Sequence, residues 1–378
     1  MTTRYRDLGL TVGLLPTGPL NAITDVEGVR VGLTTLIDGD GPLDVGRGPV
    51  RTGVTMIVPH EGIGAEPLFA GCHRLNGNGE LTGLEWVRES GLLTTPIAIT
   101  NTHSVGVVRD ALVAADVRQK SERSEVFWSL PVVGETYDGA LNDMNGFHVT
   151  ADHVRSALDG AAGGPVAEGN VGGGTGMICH DFKGGTGTAS RRLAQDDGGW
   201  TVGALVQANY GSRERLTVDG VAVGREIPIS RVPSAWDQAD ALDQAGSGSI
   251  IVVLATDAPL LPHQCERLAQ RAGLGVARVG GGGENSSGDL FIAFSTGNRG
   301  RMSSYKVAGD PAPFDVTMLP DTAISALFWA AIEATEEAIL NALVGAETMV
   351  GRDGITAHAL DHALLVETMS RYGRGPKT

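Results

Sequence analysis

A serine at the junction of a loop and a strand is the first residue of this chain that could do chemistry. Ser249 follows Gly-Ser-Gly and precedes six apolar, mostly β-branched residues. This composition predicts a flexible linker that runs into a strand buried on both faces. A strand end suits a reactive side chain, because the sheet fixes its position while the loop leaves it accessible. On this stretch alone, a mobile connection between two domains is the plainer interpretation.

Three further segments place polar side chains next to apolar runs. Glu135 and Tyr137 follow an apolar pair, and Asn209 ends a predicted strand. Ser287 and Asp289 lie in a turn-rich loop that leads into another strand. Taken one at a time, these are more simply a solvated charge, a turn and a loop hydroxyl. Only together, and with Ser249, do they suggest a catalytic site.

Two motifs that look like ligand sites lack their essential parts. The glycine-rich segment 171–179 has neither a GxGxxG pattern nor a Gly-Lys-Ser/Thr, so close packing of glycines is a better interpretation than phosphate binding. His358 and His362 have the spacing of two metal ligands on a predicted helix, but no third ligand is near in sequence and HExxH is absent. We therefore expect surface histidines, no metal site and no cofactor.

The elements that must position these residues follow from periodicity and turn signals. Strands are predicted at residues 53–59, 202–208, 250–255 and 290–295, with two short strands joined by a turn around Gly28. Helices are predicted at residues 105–115, at 262–271 with a stop at Gly273, from Asp321 with one apolar face and a stop at Gly345, and near 358–369.

Length and composition indicate a globular protein. The 378 residues, 42% hydrophobic and 19% charged, can bury one large core or two ordinary ones. The formal charge of −15 argues against nucleic acid or an anionic membrane surface as partner. The three cysteines (Cys72, Cys179 and Cys265) cannot all pair, and no segment reaches the roughly 18 apolar residues of a membrane span. We therefore expect a cytoplasmic protein.

Several of these segments together resemble one enzyme family. Residues 248–260 read Gly-Ser-Ile-Ile-Val-Val-Leu-Ala-Thr-Asp-Ala-Pro-Leu, which is similar to the self-cleavage region of the L-aminopeptidase/D-esterase and β-aminopeptidyl peptidase family of the DmpA/BapA type. The resemblance extends in the expected order through Glu-Thr-Tyr-Asp-Gly at 135–139, Asn-Tyr-Gly at 209–211 and Ser-Ser-Gly-Asp at 286–289. With residues 21–26 and 51–59, it covers essentially the whole chain.

The resemblance implies an N-terminal-nucleophile hydrolase with an α+β fold, a four-layer αββα sandwich of the DmpA/ornithine acetyltransferase-like type. Residues 1–378 would form one intertwined domain, cut once between Gly248 and Ser249. The products would be a large chain, 1–248, and a small chain, 249–378, that begins with the nucleophile. Relatives of this kind assemble several αβ units, so the resemblance also implies a homo-oligomer, a tetramer.

The chemistry of such a cut is plausible in its own right. A serine hydroxyl is a poor nucleophile near neutral pH unless a base takes its proton. Cleavage before Ser249 would create an α-amine with an unperturbed pKa of about 7.7–8.0, which is a suitable base. The glycine before it leaves the carbonyl open to attack by the serine's own oxygen.

The resemblance also assigns roles to the other site residues. Ser287 and Asp289 would complete a relay to Ser249, in which the carboxylate holds Ser287 or the new ammonium. Asn209 would stabilise the oxyanion, with Tyr137 as a second candidate donor. Glu135 would receive the free amine of the substrate. The expected substrate is a small peptide, amide or ester with a free amino terminus, and its N-terminal residue stays open among α-L-, D- and β-amino acids.

Two other function classes remain in view. One is an acyl transferase of the ornithine acetyltransferase type, which shares the broad fold but normally uses threonine as nucleophile. The other is an uncut, glycine-rich scaffold that binds a small molecule without catalysis. Formation of two fragments would distinguish a self-cleaving enzyme from the uncut scaffold. Acetyl transfer from acetylornithine to glutamate would favour the transferase over the aminopeptidase.

Overall fold

The structure is a computed structural model, and it describes residues 2–119, 128–238, 248–301 and 313–376. Residues 246–247 of the predicted linker lie outside these ranges, whereas Gly248 and Ser249 lie inside them. The strands are β1 Arg30–Asp38, β2 Val50–Val58, β3 Leu68–Gly77, β4 Leu92–Leu93, β5 Ile97–Asn101, β6 Val132–Thr136, β7 Ile178–Cys179, β8 Phe182–Lys183, β9 Gly185–Arg192, β10 Thr201–Asn209, β11 Gly248–Thr256, β12 Ser287–Ser295, β13 Met349–Val350 and β14 Thr356–Ala357.

Two larger sheets form the centre of the molecule. The first has the order β1-β2-β5-β6, in which β5 and β6 run parallel and the other neighbours antiparallel. The second has the order β4-β3-β12-β11-β10-β9, and its parallel pair is β11 with β12. Strands that follow residue 248 thus lie between strands that precede it. The second sheet is therefore built from both sides of the predicted cleavage point.

Helices cover the outer faces of the two sheets. The helices are α1 Leu84–Ser90, α2 Val105–Gln119, α3 Ala151–Asp159, α4 Val223–Glu226, α5 Pro262–Arg278, α6 Ser325–Val344 and α7 His362–Arg371. One apolar cluster joins α2 and α3 to the first sheet, a second fills the space between the sheets, and a third joins the second sheet to α5 and α6. These three interfaces give the four-layer αββα sandwich that was predicted, because each sheet buries both of its faces.

Strand β11 confirms the prediction made from its composition. It lies between β10 and β12, and residues 249–256 are buried. Alternate side chains enter different clusters: Ile250, Val252 and Leu254 on the helix side, and Ile251, Val253 and Ala255 between the sheets. A strand with apolar neighbours on both faces needs this continuous apolar run.

The predicted pair of short strands around Gly28 is wrong. Residues Ile23–Asp25 form a turn of 3-10 helix, and only β1 follows as a strand. The Asp25 carboxylate accepts hydrogen bonds from the backbone N–H groups of Leu20 (2.9 Å) and Ala22 (3.1 Å). These local bonds satisfy backbone N–H groups in the segment where the first strand was predicted. That segment therefore needs no partner strand for those groups.

Two helix predictions also need correction. Helix α5 continues past Gly273 to Arg278, because its glycines serve close packing: a β-carbon on Gly275 would lie 2.6 Å from the Thr335 Cβ of α6. The long helix, predicted to have one apolar face, is buried almost all round, and its Glu337 pairs with the equally buried Arg191 at 2.7 Å. Local sequence periodicity does not show how many neighbours surround a helix.

The two histidines with ligand spacing are not on one helix. Helix α7 begins at His362, where the Asp361 carboxylate caps it by accepting from the Leu364 N–H at 2.9 Å, and His358 lies outside it. Both histidines are half-buried rather than exposed, and His362 Nε2 lies 2.8 Å from the carbonyl oxygen of Val344. Across the described ranges, no three His, Cys, Asp or Glu side chains are grouped so that they could hold a metal ion.

Hydropathy along the helices gives one further result. Among the residues that the structure describes, no helix combines the length and the apolar character needed to cross a membrane.

Candidate active site

Ser249 is the second residue of β11, at the end of the sheet where that strand begins. In register it lies opposite Asn209 of the antiparallel β10 and beside Gly288 of the parallel β12. Only 2% of its surface is exposed. In the uncut chain its Oγ donates a hydrogen bond to the carbonyl oxygen of Gly248 at 2.5 Å. The hydroxyl therefore lies against the peptide bond that the sequence predicts to be cut.

Strand alternation decides which side chains share a face with this hydroxyl. Side chains that are an even number of residues apart on a strand point to the same face. Ser249 therefore shares a face with Ile251, and Asn209 shares a face with Leu205. Both of those apolar residues lie between the two sheets. Ser287 and Asp289 point to the same face of β12 as Phe291, which packs on the side of the second sheet that α5 and α6 cover. The Ser249 hydroxyl and the Asn209 amide therefore share one face of the sheet, while Ser287 and Asp289 point to the other.

Asn209 presents a hydrogen-bond donor next to Ser249. Its Oδ1 accepts a hydrogen bond from the Ile178 N–H at 2.8 Å, which fixes the orientation of the amide. Its Nδ2 is buried and has no hydrogen-bond partner among the residues that the structure describes. Buried donors without a partner are rare in native structures and need a reason. A donor held beside a nucleophile can receive the oxyanion that forms during acyl transfer.

Ser287 and Asp289 form a hydrogen-bonded pair at the start of β12. The Ser287 hydroxyl donates to Asp289 Oδ1 at 2.6 Å, and the Asp289 N–H donates to Asn76 Oδ1 at 2.9 Å. Burial raises the pKa of the Asp289 carboxyl, and the Ser287 hydrogen bond opposes that rise. In the described part of the chain, no hydrogen bond joins this pair to Ser249. The pair instead faces Gly248, where an added β-carbon would lie 3.2 Å from Ser287 Oγ.

Glu135 is buried rather than solvated, with 3% of its surface exposed. One carboxylate oxygen accepts from the Glu80 N–H at 3.0 Å, and the other accepts a short hydrogen bond from the Thr102 hydroxyl. Burial raises the pKa of this carboxyl, and the two hydrogen bonds counteract the rise. The space between Glu135 and β12 is narrow at Gly79: a β-carbon there would lie 3.0 Å from Glu135 Oε1 and 3.2 Å from the Gly288 Cα. The carboxylate thus lies close to the residue that pairs with Ser249.

Tyr137 follows β6 and turns its ring over Gly139. A β-carbon on that glycine would lie 2.6 Å from the phenol oxygen. Tyr137 does not line the cleft beside Gly248. Its role as a second oxyanion donor stays a prediction.

A cleft of about 370 Å³ opens beside the Ser287–Asp289 pair. Its walls include Gly248, Ser287 and Asp289, together with Asp181, Tyr210, Trp236 and Glu284. Among the described residues that line it, Asp181, Glu284 and Asp289 are acidic, and none is Lys, Arg or His. An acidic cleft favours cationic groups, so the surroundings of Gly248 suit an ammonium.

Comparison with known proteins identifies the family. The model of peptidase family S58 matches residues 21–357. The chain belongs to peptidase family S58. It is 50% identical over 378 residues to the β-peptidyl aminopeptidase BapA of Sphingosinicella microcystinivorans, which spans 98% of this chain and 93% of the relative. A solved β-aminopeptidase from Burkholderia sp. is 56% identical, with a TM-score of 0.90 and coverage of 98% and 99%.

A second solved structure confirms the predicted fold class. The L-aminopeptidase D-Ala-esterase/amidase of Ochrobactrum anthropi is described as a prototype of the serine aminopeptidases and as a variant of the Ntn hydrolase fold. It is 48% identical to the S58 chain, with a TM-score of 0.89 and coverage of 98% and 99%. The chain is therefore an aminopeptidase of the serine type, and neither the transferase nor the scaffold reading is favoured.

Sequence reasoning missed several residues of this S58 site. Asn76 and Thr102 were not singled out, although they hold Asp289 and Glu135 in place. Asp181 and Trp236 of the cleft were also missed, and no local motif marks them. Glu284 lies in the glycine-rich loop before Ser287, so its neighbourhood was visible in the sequence. Asn76, Thr102, Asp181 and Trp236 reach the site through contacts between segments that are distant in sequence.

Proposed function

We propose that this protein is a self-cleaving serine aminopeptidase, cut between Gly248 and Ser249, with Ser249 as its N-terminal nucleophile. The observation that carries the proposal is the unpaired Asn209 Nδ2 opposite Ser249, on the same face as the hydroxyl that lies against the Gly248 carbonyl. Nucleophile, target carbonyl and oxyanion donor are three of the parts that acyl transfer needs.

Self-cleavage proceeds in two steps. Ser249 Oγ attacks the Gly248 carbonyl carbon, the hydroxyl proton passes to the Ser249 nitrogen, and the bond between the carbonyl carbon and that nitrogen breaks. This step leaves an ester between Gly248 and the serine oxygen. Water then hydrolyses the ester, which gives a carboxylate on Gly248, a free Ser249 hydroxyl and a free α-amine. The fragments are 1–248 and 249–378, and they stay joined because β11 and β12 lie between β3 and β10.

Substrate hydrolysis repeats the chemistry with the new amine as base. The α-amine takes the Ser249 hydroxyl proton while Oγ attacks the substrate carbonyl carbon, and the proton passes to the leaving amine. Asn209 Nδ2 donates to the oxyanion, and water releases the acyl group from Ser249 in a second step. Ser287 and Asp289 act on the amine rather than on the hydroxyl, because they lie next to Gly248 and on the other face of the sheet.

The substrates are peptides with a free amino terminus, with β-amino acids as the first candidates for that position. The relative at 50% identity is a β-peptidyl aminopeptidase, and the solved relative at 56% identity is a β-aminopeptidase. L-aminoacyl amides and D-alanyl esters are the second candidates, because the relative at 48% identity is an L-aminopeptidase D-Ala-esterase/amidase. Glu135 binds the substrate ammonium, since a carboxylate has about four lone-pair sites and can accept more than its two present bonds.

The experiment that tests this proposal is sequencing of the protein's own fragments. Freshly purified protein should give two bands on a denaturing gel, and the smaller should begin Ser-Ile-Ile-Val-Val. A single full-length band after long incubation, or a start at another residue, would contradict the assignment of Ser249. A panel of β-dipeptides, L-aminoacyl amides and D-alanyl esters then ranks the substrate classes.

A second prediction concerns the substrate amine. N-acetylated peptides should be almost inert, because the charge partner of Glu135 is gone and the carboxylate stays poorly satisfied. Glu135→Gln should lower kcat/KM about ten- to hundredfold, since it removes a charge-assisted hydrogen bond. Self-cleavage should change less, because it involves no substrate amine.

The control for that prediction is Glu85→Gln, which removes a carboxylate that is 91% exposed on α1. It should leave kcat/KM within about twofold of the wild type, because exposed charges at a distance are screened. Efficient turnover of N-acetyl dipeptides would exclude Glu135 as the ammonium site and indicate an endopeptidase or amidase.

We also propose a cytoplasmic homo-oligomer of αβ units. Free, buried cysteines support a reducing compartment. Phe314, Met318 and Trp329 are large apolar residues with 57%, 43% and 57% of their surface exposed, and a contact between units would cover them. Light scattering of the purified protein measures the mass, and a mass of one αβ unit would contradict this assembly.

A further inference from the structure

Lys183 is a buried lysine that, among the residues the structure describes, forms no ion pair with a carboxylate. It ends β8 and has no exposed surface. Within the described ranges, no ion pair joins it to an Asp or Glu. Its Nζ donates instead to three backbone carbonyls: Met177 at 2.9 Å, Gly184 at 2.8 Å and Gly174 at 3.4 Å. Burial lowers the pKa of this lysine to about 7, so its charge is costly to keep.

The carbonyl of Met177 belongs to the peptide group that holds Asn209. The oxygen of that group accepts from Lys183 Nζ, and its N–H, on Ile178, donates to Asn209 Oδ1 at 2.8 Å. The other end of the Asn209 amide is the unpaired Nδ2. One continuous chain of hydrogen bonds therefore runs from the buried ammonium, through one peptide group, to the free donor opposite Ser249.

Hydrogen bonds in such a chain polarise one another. An ammonium at the carbonyl end of a peptide group draws electron density toward the oxygen, which makes the N–H a stronger donor. That N–H in turn draws density toward Asn209 Oδ1, which makes the Nδ2 protons more positive. A cation at the far end of the chain thus strengthens the donor where an oxyanion forms, without a positive charge in contact with the nucleophile.

We propose that Lys183 is a positioning residue for the oxyanion donor, which it orients and polarises through the Met177–Ile178 peptide group. This inference rests on the proposed role of Asn209 in acyl transfer. It gives a reason for the cost of burying an uncompensated ammonium, since an apolar residue would fill the same space without that cost. The simpler alternative is that Lys183 only fastens the segment from Gly174 to Gly184.

A double-mutant cycle separates the two roles. Lys183→Met should lower kcat about ten- to hundredfold with KM changed less than about threefold, because the loss falls on the transition state. In the Asn209→Ala background the same substitution should cost less than about threefold, because the group through which it acts is gone. The initial rate of self-cleavage should show the same pattern, and thermal unfolding checks that each variant is folded.

Two conservative variants complete the test. Lys183→Arg keeps a cation and should restore most of kcat, whereas Lys183→Gln keeps a donor without charge and should behave like Lys183→Met. If Lys183→Met does not fold, Lys183→Gln replaces it in the cycle. An equal loss of kcat in both backgrounds, or full activity of Lys183→Gln, would overturn the inference and leave the role of Asn209 intact. Full activity of Asn209→Ala would instead overturn the proposed oxyanion donor itself.

Discussion

Ser249→Ala should give a protein that stays uncut and hydrolyses no substrate. Self-cleavage needs the hydroxyl as nucleophile, and in the structure that hydroxyl lies 2.5 Å from the carbonyl oxygen of the bond to be broken. Substrate hydrolysis needs the same oxygen, and it also needs the α-amine that only cleavage creates. One deleted atom therefore removes nucleophile and base together. We expect activity to fall by at least about 10⁴-fold, as for the loss of a central nucleophile in other hydrolases.

The measurement is a denaturing gel over several days with an aminopeptidase assay on the same samples. Ser249→Cys is the matched control, because a thiol keeps the nucleophile and changes only its chemistry. It should still cut, more slowly than wild type, and the fragment should begin with the new residue. An uncut Ser249→Ala protein that nevertheless hydrolyses peptides would show that another residue is the nucleophile.

Asn209→Ala should lower kcat about 10²–10³-fold, the usual cost of losing one oxyanion donor, with little change in KM. The reason is that Asn209 Nδ2 has no hydrogen-bond partner among the described residues, so we expect its hydrogen bond to be made only when the oxyanion forms. An interaction that exists only in the transition state affects kcat rather than substrate binding. Self-cleavage should slow by a comparable factor.

Loss of orientation must be separated from loss of the donor. Asn209→Ala also deprives the Ile178 N–H of its acceptor, which destabilises the buried segment. Asn209→Asp is the control, since it keeps an oxygen for that N–H and removes the Nδ2 donor. It should be nearly as inactive as Asn209→Ala but closer to wild type in thermal stability. Values of kcat within a few-fold of wild type for both variants would exclude Asn209 from the mechanism.

Local sequence was sufficient wherever a short segment already carried the signal. The continuous apolar run after Ser249 predicted a strand buried on both faces, and β11 confirms it. The motifs around Ser249, Asn209 and Glu135 pointed to a serine aminopeptidase, which the family comparison supports. The αββα layers, which the family resemblance implies, are confirmed as well. For β11, the composition of the segment itself contains the information.

The sequence failed where a distant partner sets the outcome. Glycine often ends a helix, so the sequence predicts an end at Gly273, yet contacts between α5 and α6 carry the helix to Arg278. The burial of Glu135 does not follow from the sequence, because a charged side chain gives no sign of the Thr102 hydroxyl and Glu80 N–H that make its burial tolerable. Lys183 gave no signal at all, since its partners are carbonyl oxygens that every residue has.

The arrangement of the site depended most on tertiary structure. The sequence, through the family that it resembles, predicts the set of candidate site residues: Ser249, Asn209, Ser287, Asp289, Tyr137 and Glu135. Only the sheet decided that Asn209 shares a face with the Ser249 hydroxyl, while Ser287 and Asp289 turn to the other face beside Gly248. A shift of one residue in the register of β10, β11 or β12 would exchange these faces. Register is fixed by the packing of whole strands against both layers, and no local pattern around the reactive residues contains that information.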